Sequence, residues 1–412
     1  MYAQRVSSLL LFSSAFLLPL HSQQSTQTPV QRYQAAKHTF ELHSEGDFLH
    51  DDSPAAIKSL ESMWSASADA VIQLLSQKPG ATAKDIDAAL CNLESSNDCG
   101  KDDGARQDAL SLGPHLFLVS QFSSEAGTVF VVGMRDGKPT LLWSINTTEA
   151  QERDRRDWIG AWKADRAGGA CRANGSGHKP GSCGPLYASL GLLPPDADGK
   201  PRFYIDAGYA QIMGATVGKQ TSVWRWDGYK PELLWIDWHD FMIDQKDGTQ
   251  FVDGVLSIGE KDEFRTFYGC GSCEARQMLR RLKITSNNVE DLGKVSTTPE
   301  LDLVDELFWR LANDRLTADI ASPQVSQLLK PQILAAKLES EKITPQFFTI
   351  GMLGDVFVNR TDNNEYLCFT VDGDIGQLYF ILQNLPNKGA KLTDVKQAKD
   401  DYGDCPKTFP KQ

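Results

Sequence analysis

Cys270-Gly-Ser-Cys273 has the residue types and spacing best suited to covalent chemistry, since two thiols two residues apart can close and reopen a disulfide. Ala275, Met278, Leu279 and Leu282 follow at helical spacing, and a helix there would lower the pKa of the first thiol. The same residues also read as a strand entering the Ser286-Asn287-Asn288 turn, which leaves the cysteines as a structural clip. Asp237-Trp238-His239-Asp240, with Asp244 and Asp247 downstream, could hold a metal or supply a general base. One histidine without ligand spacing favours a solvated turn instead. Asp206, Asp237 and Asp240 could also supply the two carboxylates, about 5 to 10 Å apart, that glycoside hydrolysis needs.

Aromatic rings form a third group. Seven of the nine tryptophans fall between residues 143 and 238. Trp158, Trp162 and Trp238 lie in expected loops, where an exposed ring offers a sugar or peptide a large apolar face at small entropic cost. With His239 and Asp240 they make up the expected ligand-binding set. Trp143 and Trp235 belong to repeated Leu-Leu-Trp segments and read as sheet core. His38, His43 and His50 lie near Glu45 and Asp47, but their spacing fits no known metal site. Asp196-Ala-Asp-Gly is short of the six or more oxygens calcium wants, and reads as a turn. No metal and no cofactor is expected.

Several motifs are missing: a Gly-x-Ser-x-Gly elbow, a phosphate-binding glycine loop, His-Glu-x-x-His and a dinucleotide fingerprint. The formal charge of −12 argues against nucleic acid or an anionic membrane surface as partner. Residues 1–22 carry Arg5, an apolar run and Leu20-His21-Ser22, the pattern of a signal peptide, which predicts a secreted or periplasmic protein. No later stretch has the length and apolarity of a membrane span. Eight cysteines follow the leader, an even number that suits an oxidising compartment. Their clustering predicts disulfides Cys91–Cys99, Cys171–Cys183, Cys270–Cys273 and Cys368–Cys405.

The elements that must position these groups form repeated hairpins. Val131–Ile145 and Val223–Ile236 share an apolar strand, an Asp-Gly turn, a proline and Leu-Leu-Trp. A third unit is expected from Val255 to the turn at 286–288. Residues 23–36 read as a disordered linker and 37–112 as a helical region, with helices starting at Pro54 and after Thr82. Residues 113–294 make an antiparallel β domain of repeated units, and 295–412 a small α+β domain whose second helix stops at Pro331. The fold class is mainly β with α+β.

Three repeated units resemble propeller blades, although closed propellers have roughly 4 to 8, so an open sandwich is the alternative. The Cys270/Cys273 pair resembles thioredoxin-type redox sites, without their preceding tryptophan or βαβ setting. The C-terminal order of elements is similar to the cystatin-like cone fold. The expected function is an exported, non-catalytic binding protein for a glycan, peptide or other small-molecule or protein ligand. Thiol-disulfide oxidoreductase and glycosidase-like hydrolase are the alternatives.

Overall fold

The computed structural model describes residues 27–43, 54–94, 106–123, 126–146, 187–210, 217–241, 249–262, 264–268, 276–297, 299–340, 348–350, 357–361, 364–372, 377–385 and 389–397. Among them are four sheets, almost wholly antiparallel, and five helices. No sheet in this set closes on itself.

Three helices lead the chain: α1 (Pro29–His43), α2 (Pro54–Gln77) and α3 (Ala83–Cys91). Helix α1 begins inside the stretch expected to be a disordered linker. Thr28 and Gln31 form a reciprocal cap around Pro29, with Gln31 N donating to Thr28 Oγ1 and Thr28 N to Gln31 Oε1, while Tyr33, Ala36 and Phe40 are buried. Helix α3 has the expected capping box of Thr82 and Asp85.

Sheet A is a meander of β1 (Arg106–Gly113), β2 (Leu116–Ser123), β3 (Ala126–Arg135) and β4 (Lys138–Asn146). Sheet B repeats it with β5 (Tyr187–Leu193), β6 (Arg202–Ala210), β7 (Val217–Trp226) and β8 (Pro231–Phe241). Sheet C contains β9 (Gln250–Val252), β10 (Val255–Asp262), β12 (Arg276–Ile284) and β13 (Val289–Ser296), with the two-residue β11 (Phe267–Tyr268) between β10 and β12 in the chain.

The Leu-Leu-Trp hairpins repeat one bulged pairing, with a longer turn in the second. Val131 pairs with Trp143 and Val132 with Leu141, so Leu142 is bulged out; Val223 pairs with Trp235 and Trp224 with Leu233, which bulges Leu234. Asp136-Gly137 turns the first hairpin with both residues at positive φ (52° and 76°), and Asp253-Gly254 turns β9 into β10 in the same way (50° and 79°).

The sheets stack face to face because strand alternation gives each two buried faces. In β2, Phe117 and Val119 join the core with the helices, while Leu118 and Phe122 join the core with sheet B. Phe203, Ile205, Ala207, Trp224 and Trp226 are the sheet B side of that second core. The opposite face of sheet B contributes Leu193 and Val223 to a third core with Leu256, Ile258, Leu282 and Ile284 of sheet C. The order is therefore helices, A, B, C.

Beyond β13 come α4 (Pro299–Ala312) and α5 (Pro323–Ser340), then β14 (Phe348–Ile350), β15 (Phe357–Thr361), β16 (Asn364–Asp372), β17 (Gln377–Leu385) and β18 (Gly389–Gln397). Both helices pack on β17 and β18 around Phe308 and Phe380. Helix α5 runs through Pro331 instead of stopping there; the carbonyl left without a helical donor is that of Gln327, an exposed residue, so it can meet water. The segment between β10 and β12 docks here: Thr266 donates to Asp305 Oδ1, and β11 pairs with β14.

Candidate functional site

The stack has two distinct ends. At one, hairpin turns converge. Ala197 N, in the β5–β6 turn, donates to Ser286 O in the β12–β13 turn at 3.0 Å. Arg202, only 2% exposed, donates to the carbonyls of Pro194, Pro195 and Thr285. A polar depression of about 260 Å³ lies here, lined in part by Asp198, Arg225 and Asn287. The Asp196 carboxylate accepts from the backbone of Asp198 and Lys200 and pairs with Arg225, which fits the turn expected at Asp196-Ala-Asp-Gly. Its pKa is lowered, burial being outweighed by those hydrogen bonds and by Arg225.

At the other end β2 gives way to β3, β4 ends, β5 begins, β6 gives way to β7, and β8 ends. Ser120 Oγ donates to Ala188 O at 3.0 Å, which fixes sheets A and B in that common sense. Arg280 contacts Asp237, which does the same for B and C. We call this the connection end, because the long links between sheets leave from it.

In the B–C gap the apolar core gives way to charge toward this end. Asp206 pairs in register with Thr221, and Thr221 with Asp237, so one row across β6, β7 and β8 reads Asp-Thr-Asp. Asp206 is 3% exposed and accepts from Thr221 Oγ1 at 2.8 Å and Thr249 Oγ1 at 2.9 Å. Tyr204 reaches the carbonyl of Thr249 (3.3 Å). Its ring lies across β5 because Gly191 has no Cβ: one placed there would meet Tyr204 Cε1 at 2.0 Å.

Sheet C answers with opposite charge. Arg280 contacts Asp237, pairs with Asp291 at 2.6 Å, stands 3.7 Å from Glu260 Oε1, and lies over the Trp235 ring at 5.5 Å. Glu260 is fully buried and is ion-paired with Lys294 Nζ at 2.5 Å. Burial pushes its carboxyl above the ordinary range, against the pull of Lys294 and Arg280. Asp237 and Glu260 thus share one guanidinium nitrogen. That nitrogen ties Asp237 of sheet B to Glu260 of sheet C.

The residues expected from sequence divide unevenly. Trp238, His239 and Asp240 lie in β8, paired in register with Gln220, Lys219 and Gly218, so they belong to a strand and not to the expected loop. Trp158, Trp162, Cys270 and Cys273 lie outside the described residues, as do Cys99, Cys171, Cys183, Cys405 and the leader. Cys368 sits in β16 between Phe357 and Tyr379, and Cys91, at the end of α3, is disulfide-bonded. Arg276–Ile284 is a strand, so of the two readings of this stretch the strand holds and the helix that would activate Cys270 does not form; alternation of Met278, Arg280, Leu282 and Ile284 toward sheet B decides between the two periods. Asp206 was among the expected carboxylates. Thr221, Thr249, Glu260, Arg280 and Lys294 went unnoticed, since each is ordinary until register aligns it.

Among the described residues no group of three or more His, Cys, Asp or Glu is positioned to hold a metal ion. No described helix is long and apolar enough to cross a membrane. No family model, curated protein or solved structure matches the chain.

Proposed function

We propose that this is an exported, non-catalytic binding protein in which a propeller-like open stack of sheets presents a glycan or peptide ligand site at the connection end. The observation that carries this reading is the Asp206–Thr221–Asp237 row, where a buried sheet face becomes polar at the end from which the links bearing Trp158 and Trp162 depart. Aromatic faces beside fixed hydrogen-bonding groups are what polyhydroxyl or peptide ligands require. The ion pairs of Asp237 and Glu260 favour binding over hydrolysis, and strand structure from Arg276 onward weakens the redox alternative.

Glycan and peptide arrays probed with the mature protein test the proposal. A retained ligand class whose binding is lost in a Trp158→Ala, Trp162→Ala double variant is the expected result. Retention of nothing by the wild type, or full binding by the double variant, overturns it.

A further inference from the structure

The A–B gap contains one residue that packing does not explain. Gln220 is 0% exposed, and neither its side-chain nitrogen nor its side-chain oxygen has a hydrogen-bond partner. It lies on β7 four residues before Trp224, on the face directed at sheet A, in a register row that runs Trp238, Gln220, Ala207, Ala188. That face otherwise supplies Phe203, Ile205, Ala207, Trp224 and Trp226 to an apolar core. An amide buried there with no partner forfeits its bonds to water and gains nothing for them, whereas a leucine or methionine would fill the same volume without that cost.

The other polar groups of the core differ. Ser222 donates to Ile205 O and accepts from Trp224 Nε1, and Thr128 donates to Ile145 O. On the opposite face of sheet A, Gln121 at least donates to Tyr33. Gln220 alone among these has both atoms unmatched.

We infer that Gln220 is a ligand-reading residue whose amide pairs, donor to acceptor and acceptor to donor, with a main-chain amide of an extended peptide entering the A–B gap at the connection end. A carboxamide offers one donor group and one acceptor side by side, the complement of a peptide unit. On the β6 and β5 side of the row the alanines bring no competing polar side chain, and the apolar lining suits a peptide with apolar side chains better than a sugar. Val217, where β7 begins, is three residues away, roughly 10 Å along the strand, a depth that about three extended residues would span. The inference rests on the binding function proposed above and narrows its ligand.

Gln220→Met, with Gln220→Leu as a second apolar replacement, tests it against the tightest peptide the wild type retains from a peptide array. That peptide is also made with each backbone nitrogen methylated in turn. Both variants are expected to melt at or above the wild-type temperature, because an unpaired amide is removed, and to bind at least about ten-fold more weakly. One N-methyl position should weaken wild-type binding comparably and add nothing in the variants. Wild-type-like binding by either variant, or a lowered melting temperature in both, overturns the role of Gln220 and leaves the binding function standing. Retention of glycans alone likewise overturns only this inference; retention of nothing on either array sinks both.

Discussion

The two gaps between the stacked sheets are built from similar strands but hold together differently. Between A and B, Leu118, Val131, Phe203 and Trp224 pack an apolar interior, and the ring centroids of Trp143 and Trp224 lie 6.5 Å apart. Between B and C the apolar part is smaller, and Arg280, held by Glu260 and Asp291 of its own sheet, reaches across to Asp237 of sheet B. The first gap relies mainly on non-directional burial, with the Ser120–Ala188 and Leu190–Asp108 hydrogen bonds as its directional ties. The second relies on paired charges, which fix one register and are costly to break singly.

The comparison is broken most directly by Trp224→Ala. This removes a side chain 4% exposed that also donates to Ser222 Oγ, and is expected to cost about 3 to 5 kcal/mol in a denaturant titration. A loss under about 1 kcal/mol would mean that the A–B gap is not the main apolar core of the stack.

Arg280→Ala comes next, at about 2 to 3 kcal/mol, since it leaves Asp237, Asp291 and buried Glu260 with one cation fewer. The triple variant Arg280→Met, Glu260→Leu, Asp237→Leu sharpens the point. It should recover most of that loss, because removing the whole network removes its desolvation cost as well. A triple variant less stable than Arg280→Ala would show that the ion pairs contribute net stability.

The smallest effect concerns one ionisable tie at the apolar gap. Asp108 of β1 accepts from Leu190 N of β5 at 2.9 Å, and burial raises its pKa. Burial, then the charge of Asp108, pushes Asp87 of α3 up to about 6. A carboxyl whose pKa is raised on folding binds protons more tightly in the native state. Its contribution is therefore full below the unfolded value near 4 and is lost as pH rises through about 6. Asp87→Asn should flatten melting temperature against pH across that window and raise it modestly at pH 7. An unchanged slope would place the titrating group elsewhere.

What the sequence disclosed was local. The Asp-Gly turns and the Leu-Leu-Trp segments announce hairpins because turn chemistry and two-residue alternation are confined to neighbours in the chain. Residues 23–36 read as disordered from their Gln, Ser and Thr content, although Thr28-Pro-Val-Gln31 has the residue types of a helix cap. Pro331 misled because its effect depends on whether the freed carbonyl meets water, a tertiary fact. The Asp206–Thr221–Asp237 row and the isolation of Gln220 arise from pairing between strands and between sheets, and no spacing along the chain encodes them.

The bulges at Leu142 and Leu234 fall on β4 and β8, each the last strand of its sheet among the described residues. An interrupted, over-twisted margin is a poor template for a further strand, so a second molecule cannot readily zip onto either sheet at that edge. The same Leu-Leu-Trp segments that make the repeat recognisable therefore also guard one edge of each sheet against fibril-like self-association.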